Sequence, residues 1–137
     1  MKLGFHYHLP AIIKNGNIFT AGYLGVFLDG LSIYFNEIYL FLHSPLENEL
    51  ESLTYKIKSK NINLIDIGPH YRLHFRLLTK NLFLYKYKSA LKDIDVFLVR
   101  GPTPLLFQFY KIYEGKFSIY LVGDYVKSLK NLKLNPL

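Results

Sequence analysis

Residues 37–43, with the sequence EIYLFLH, are almost all apolar or aromatic. A strand with one face in water alternates apolar and polar side chains, whereas a strand covered on both faces has a nearly continuous apolar run. Strands of the second kind occur mainly in parallel sheets that carry helices on both faces. The run therefore indicates an α/β fold, and the segments on either side of it support the same class.

Strand-like and helix-like segments alternate along the rest of the chain. The predicted strands are residues 2–8, 37–43, 64–67, 95–99 and 117–122, the first of them ended by Pro10. Helical segments are predicted at 21–34, 44–53, 71–78, 81–91 and 104–113, whereas 55–57 fits either a strand or the end of a helix. This alternation is typical of βαβ units. It predicts a Rossmann-like open parallel sheet of about five strands with flanking helices, as a single domain over residues 1–137.

The composition limits the chemistry and favours anionic partners. Cysteine is absent, which excludes disulfides and thiolate catalysis. The net charge of +7 favours phosphorylated ligands, nucleic acid or an acidic membrane surface, although an ordinary solvated surface is an equal alternative. No apolar run of about 18 residues and no signal-peptide pattern is present. We therefore expect a cytoplasmic location, with peripheral attachment at the inner face of the membrane as an option.

Charged or imidazole side chains follow the predicted strands. Parallel strands end at a common edge of the sheet, and ligands of open α/β sheets bind at that edge. The residues at or just after the ends of the five strands are His8, His43, His70, Arg100 and Asp124. Gly22, Tyr23 and Gly25, at the start of the first helix, are expected to face the same cleft. The sequence therefore predicts one site in which these side chains converge.

Each polar group of this predicted site has a role and a simpler alternative. Arg100 could hold an anion through two parallel hydrogen bonds. His43, the candidate catalytic residue, could hydrogen-bond to a ligand or transfer a proton. Asp124 could orient Arg100, or it could cap the helix that follows it.

The loop at residues 15–25 lacks the known nucleotide-binding signatures. Its glycines, Gly16, Gly22 and Gly25, do not have the G-x-G-x-x-G spacing, and no Gly-Lys-Ser/Thr follows them. The N-terminus of the following helix could still meet a phosphate or sugar hydroxyls. Alternatively, the loop only turns the chain, and Gly22 and Gly25 allow close packing of the helix on the sheet.

Neither a metal site nor a nucleic-acid site is expected. The histidine pairs His6/His8 and His70/His74 have spacings that metals use, but no third ligand is close to either pair. His6 and His74 are expected to pack or to form structural hydrogen bonds. No nucleic-acid-binding motif is present, so nucleic acid is not an expected partner.

Four segments together resemble the N-terminal, acceptor-side domain of the GT-B glycosyltransferases of the glycogen-synthase-like, family-4-like group. They are FHYHLPAIIKNGNIFTAGYLGVFLDGLS (5–32), LFLHSP (40–45), DIDVFLVRGPTP (93–104) and IYLVGDYVKS (119–128). The resemblance lies in the order of a first strand, a glycine-containing loop with its helix, and a later strand ending in arginine. The family's second domain, which carries an E-x7-E motif and holds the nucleotide-sugar donor, has no counterpart in this sequence.

The resemblance implies half of a nucleotide-sugar-dependent enzyme that is inactive by itself. Its partners would be a C-terminal GT-B domain or a partner subunit, a sugar or lipid-linked acceptor, and the nucleotide-sugar as a substrate rather than a cofactor. The loop at 15–25 would line the cleft between the domains. An apolar face left bare by the missing half would favour self-association. The alternative is a non-catalytic α/β module that binds a partner protein or an anionic membrane surface.

Overall fold

The structure, a computed structural model, describes residues 1–70 and 73–121. Its strands are β1 (Lys2–Lys14), β2 (Asn17–Thr20), β3 (Glu37–Ser44), β4 (Tyr55–Lys56), β5 (Ile62–Pro69), β6 (Val96–Gly101) and β7 (Lys116–Leu121). Its α-helices are α1 (Gly22–Ser32), α2 (Leu73–Leu91) and α3 (Leu106–Ile112), and a 3-10 helix spans Glu47–Ser52. None of the described helices combines the length and the apolarity needed to cross a membrane.

The seven strands form one mixed sheet with helices on both sides, so the predicted α/β class is confirmed. Five strands pair in parallel in the order β5-β3-β1-β6-β7, with β1 in the middle. The other two, β2 and β4, pair antiparallel and extend the sheet from the end of β1. The sheet is thus not the purely parallel sheet that the sequence predicted.

The loop predicted at residues 15–25 is largely a β-hairpin. β1 continues past Pro10 to Lys14, where it pairs with β2. Its pairing with β3 changes register between His6 and Pro10. Asn15 and Gly16 form the turn, with φ angles of +50° and +76°. Asn-Gly is the preferred pair for a two-residue turn that needs positive φ at both positions. Pro10 therefore does not end the first strand, and Ala21 is the one residue left between β2 and α1.

The helices divide between the two faces of the sheet, and each face has its own apolar core. α1 covers one face, where Phe5 and Leu40 pack with Leu24 and Leu28. α2 and α3 cover the other face; the largest side chains buried there are Phe41, Tyr87, Phe97 and Phe109. Leu40 and Phe41 are neighbours in β3 and lie in different cores, because successive side chains of a strand point to opposite faces.

Two of the helix predictions differ from the structure. The helices predicted at 71–78 and 81–91 are one continuous helix, α2, over the described residues. The segment 44–53 forms only the short 3-10 helix. Tyr55–Lys56 is a strand, which was one of the two alternatives for 55–57. The predicted helix after residue 122, including Asp124, lies outside the described residues.

Candidate functional site

Among the predicted site residues that the structure describes, His43, His70 and Arg100 lie at or just after the carboxyl ends of β3, β5 and β6, but the sheet divides them into two groups. The ring of His43 lies 6.3 Å from that of His6, whose ring in turn lies 4.6 Å from Phe109 of α3. Arg100 contacts Phe27 of α1 instead. His43 and Arg100 therefore share an edge of the sheet but lie on opposite faces, and the single cleft expected from the sequence is two neighbouring sites.

Arg100 lies in a group of aromatic rings, the arginine cluster. The carbon at the centre of its guanidinium lies 4.8 Å from the ring centroid of Tyr7 and 5.1 Å from that of Phe27. The corresponding distances to Tyr23 and Tyr120 are 5.9 and 6.0 Å. A cation over an aromatic face is attracted by the ring electrons by about 0.5–2 kcal/mol. The four rings thus fix the position of the positive charge.

The Arg100 guanidinium has hydrogen-bonding capacity that the described protein does not use. Its Nε and Nη1 atoms are shielded from solvent and have no hydrogen-bond partner among the described residues. A buried donor without an acceptor costs about 1–3 kcal/mol. Tyr23 and Tyr120 are exposed, so an anion from solvent would approach past these two rings. The anion would accept charge-assisted hydrogen bonds from the guanidinium N–H groups of Arg100, whose parallel arrangement suits carboxylate or phosphate.

The start of α1 adds a second electropositive group to the arginine cluster. Ala21 is the residue before the helix and provides no side-chain cap for the first-turn N–H groups. A Cβ placed on Gly22 would have no atom within 4 Å, so the backbone is open there. Tyr23, in the same turn, contacts Arg100. Uncapped N–H groups at a helix N-terminus favour anions.

Gly25, in contrast, belongs to the packing of α1 and not to the cleft. A Cβ at this position would lie 2.1 Å from Cδ1 of Tyr55 in β4. Gly25 is buried beneath that ring and offers no surface to a ligand. The interpretation of this glycine as a packing residue therefore fits the structure.

Tyr23 can serve as a hydrogen-bond donor in the arginine cluster. Burial raises the pKa of its hydroxyl above the usual value of 10.0, and the nearby Tyr7 hydroxyl raises it further, whereas Arg100 acts in the opposite direction. The hydroxyl is therefore protonated at neutral pH. It can donate to an anion or to a sugar oxygen beside Arg100.

On the opposite face, three histidines form the histidine cluster: His6, His43 and His70. His6 Nδ1–H donates to the Phe41 carbonyl over 2.7 Å, and the His6 Nε2 atom lies 2.6 Å from Thr103 Oγ1. His6 is fully buried, which agrees with the expected structural role. Thr103 follows Pro102, whose peptide bond with Gly101 is cis.

His43 and His70 differ in their access to solvent. His43 is 2% exposed, and its Nδ1–H donates to the Gly68 carbonyl over 3.1 Å. His70 lies nearer the surface, with its ring 5.4 Å from that of His43, and its Nδ1–H donates to Glu49 Oε2 over 2.8 Å. A carboxylate that holds one ring nitrogen orients the other toward a ligand. His70 with Glu49 is therefore the more accessible proton-transfer pair.

Several residues of the two clusters were not predicted from the sequence. Glu49 precedes His70 by 21 residues, so no local spacing indicates that they meet. Tyr7, Phe27 and Tyr120 come from three different elements and meet only around Arg100.

Two other histidines lie outside both clusters. His8 contacts Tyr7, with ring centroids 4.3 Å apart, and is thereby adjacent to the arginine cluster. His74 is exposed and packs on Phe75.

Within residues 1–70 and 73–121, no three His, Cys, Asp or Glu side chains are grouped so that they could hold a metal ion. The two clusters suit hydrogen bonding, anion binding and proton transfer instead. Comparison with known proteins gives no match to a family model, to a curated protein or to a solved structure.

Proposed function

We propose that the chain is the acceptor-side half of a GT-B glycosyltransferase, a Rossmann-like unit that closes over a nucleotide-sugar held by a second domain or subunit. In this proposal the second domain or subunit binds most of the donor. The chain contributes the arginine cluster, the start of α1 and the histidine cluster to the cleft between them. By itself it transfers no sugar.

The order of the parallel strands is the observation that carries this proposal. Numbered along the chain, the five parallel strands run 3-2-1-4-5 across the sheet. In sheets of this order, ligands bind beyond the carboxyl ends of the strands where the order reverses. That point lies between β1 and β6, and Tyr7 of β1 and Arg100 of β6 are in contact there.

The chemistry of the edge also supports transfer between hydroxyl-rich, phosphorylated ligands. Arg100 and the first turn of α1 suit a phosphate, and the Tyr23 hydroxyl suits a sugar oxygen. The pair of His70 and Glu49 could accept a proton from an acceptor hydroxyl or hydrogen-bond to it. Because His43 is buried, it supports His70 in this proposal and does not contact the acceptor.

A titration followed by NMR tests this function with UDP-glucose and GDP-mannose as probes. We expect weak binding, with a Kd above about 10 μM, equivalent to roughly −7 kcal/mol, because most donor contacts would lie in the other half. The largest shifts should fall on the amides of Gly22 and Tyr23 and on the Arg100 side-chain N–H. Arg100→Met should weaken binding about tenfold or more, because it removes the charged guanidinium group and its N–H donors.

Lys60→Met is the matched control, because it removes one positive charge from an exposed position outside both clusters. It should leave the affinity unchanged. Shifts that map away from the edge of β1 and β6, or a folded Arg100→Met variant with wild-type affinity, would contradict the proposal.

A further inference from the structure

The outer surface of α2 and α3 carries large apolar side chains that are at least half exposed, although the Tyr110 ring also packs on Phe117 of β7. We name this surface the outer helical face; it comprises Phe75, Leu78, Leu82 and Tyr85 of α2 and Phe107 and Tyr110 of α3. Their exposed fractions lie between 50% and 77%. Single exposed apolar residues are ordinary, but a contiguous group on a protein surface marks an interaction site.

The four residues of α2 form a stripe along the helix. Positions 75, 78, 82 and 85 are separated by three, four and three residues, so they lie on one side of the helix. Tyr87 and Leu91, on the other side, are buried against the sheet. α2 therefore has two apolar sides, of which folding covers only one.

The charged residues within α2 and α3 are all basic. The sequences of α2 and α3 contain no Asp or Glu. Lys86 and Lys88 of α2 and Lys111 of α3 are exposed. Acidic residues lie beyond the ends of these helices, at Asp93 and Asp95 after α2 and at Glu114 after α3, where Glu114 lines the same depression as Lys88. An apolar stripe bordered by lysines complements a surface that is apolar inside and negative outside.

The second half of a glycosyltransferase would not account for this face. It would close over the carboxyl ends of the strands, at the arginine and histidine clusters. The stripe runs along the side of α2 that points away from the sheet. The role of this face therefore does not depend on the proposed function.

We propose that the outer helical face docks on an anionic lipid bilayer, with α2 lying in the plane of the interface. A helix of 19 residues is about 28 Å long, so α2 can contact the bilayer along the whole stripe when its axis lies parallel to the surface. Leu78 and Leu82 enter the acyl boundary, and Tyr85 and Tyr110 lie at the headgroup level, where tyrosine is favoured. Lys86, Lys88 and Lys111 meet the lipid phosphates.

Co-sedimentation with lipid vesicles tests the proposal on the full chain. Wild type should bind vesicles of phosphatidylcholine mixed with phosphatidylglycerol, and should bind pure phosphatidylcholine and high-salt samples much more weakly. Leu78→Gln/Leu82→Gln should lower vesicle affinity about tenfold or more, because glutamine keeps the helix but removes the apolar surface. The matched control is Val26→Gln/Ile33→Gln, which changes two exposed residues near α1 and should bind like wild type.

The charge contribution has its own pair of variants with equal net charge. Lys86→Gln/Lys88→Gln should weaken binding to anionic vesicles several-fold, whereas Lys58→Gln/Lys60→Gln, at exposed positions near β4, should not. Circular dichroism verifies folding in every case. The proposal is overturned if folded wild type does not bind anionic vesicles, or if the control pairs lose as much affinity as the test pairs. Sedimentation that shows a wild-type dimer, made monomeric by Leu78→Gln/Leu82→Gln, without vesicle binding would assign the face to a second copy.

Discussion

Arg100 and Tyr87 show how the same fold treats two hydrogen-bonding side chains differently. Arg100 has aromatic neighbours but no hydrogen-bond acceptor at Nε and Nη1 among the described residues. Tyr87 is 1% exposed, and its hydroxyl accepts a hydrogen bond from the Gln108 side chain over 2.6 Å. The first arrangement suits a ligand, whereas the second stabilises the core between α2 and α3.

Tyr87 should make the protein sensitive to alkaline pH. Burial raises the pKa of its hydroxyl to about 12, from 10.0, although the hydrogen bond from Gln108 acts in the opposite direction. Above pH 10 the unfolded chain releases this proton while the folded chain keeps it, so the free energy of unfolding falls as pH rises from about 10 to 12. The loss should approach roughly 2 kcal/mol. Urea denaturation at a series of pH values measures it.

Tyr87→Phe is the control for this pH dependence, because phenylalanine keeps the ring and removes the ionisable group. In the variant, the free energy of unfolding should decrease less at alkaline pH than in wild type. The decrease that remains should be the one due to the other tyrosines. Identical pH slopes for wild type and Tyr87→Phe would show that Tyr87 does not couple ionisation to folding.

At the scale of elements, α1 approaches β4 closely because of Gly25. Tyr55 of β4 covers this glycine and donates from its hydroxyl to Asp29 Oδ2 over 2.7 Å. Asp29 also accepts from the backbone N–H and the hydroxyl of Ser59, at 2.9 and 2.7 Å. Burial raises the pKa of Asp29, but these hydrogen bonds outweigh it and lower the pKa below the usual value. The carboxylate thus joins α1 to the chain segment after β4.

Gly25→Ala should therefore destabilise the protein, whereas Gly22→Ala should not. The new methyl group at position 25 must displace the Tyr55 ring and its hydrogen bond to Asp29, at a cost of about 1–3 kcal/mol. At position 22 a methyl group has open space, and the lower entropy of the unfolded chain should leave stability equal or raise it by about 0.5 kcal/mol. Thermal unfolding compares the two variants. Equal melting temperatures would mean that α1 and β4 are not closely packed at this point.

The sequence predicted those elements whose signal is local. Continuous apolar runs such as 37–43 located the parallel strands, because burial on both faces is visible in the residues themselves. The Asn15-Gly16 pair is an exception, because it is a local signal for a hairpin and yet residues 15–25 were predicted as a loop. The division of the site into two clusters was not predictable in this way. It depends on the face of the sheet to which each side chain points. Because the register of β1 is irregular between His6 and Pro10, that face cannot be assigned by counting alternate residues along the strand.

At the scale of the whole molecule, two cores share the strands of one sheet. Phe5 of β1 lies in the core under α1, and Phe97 of β6 lies in the core under α2 and α3. β1 and β6 are paired directly, with Phe5 opposite Leu98 and Gly4 opposite Phe97. Loss of either core would leave the other without its strands, so the described residues should unfold as one cooperative unit.

Phe5→Ala and Phe97→Ala should each lower the free energy of unfolding by about 3–5 kcal/mol, since both side chains are fully buried. Both variants should show a single transition, with the same midpoint by far-ultraviolet and near-ultraviolet circular dichroism. Separate midpoints, with one core lost before the other, would contradict a shared cooperative unit.

The central position of β1 has a consequence for protein synthesis. β1 pairs with β3 on one side and with β6 on the other, and β6 begins only at Val96. At a translation rate of about 5–20 residues per second, β1, the first of the described strands, waits roughly 5–20 s for its second neighbour. During this interval its open edge can pair with other nascent chains. Completion of the sheet is therefore delayed until β6 has left the ribosome, and chaperones have that time to hold β1.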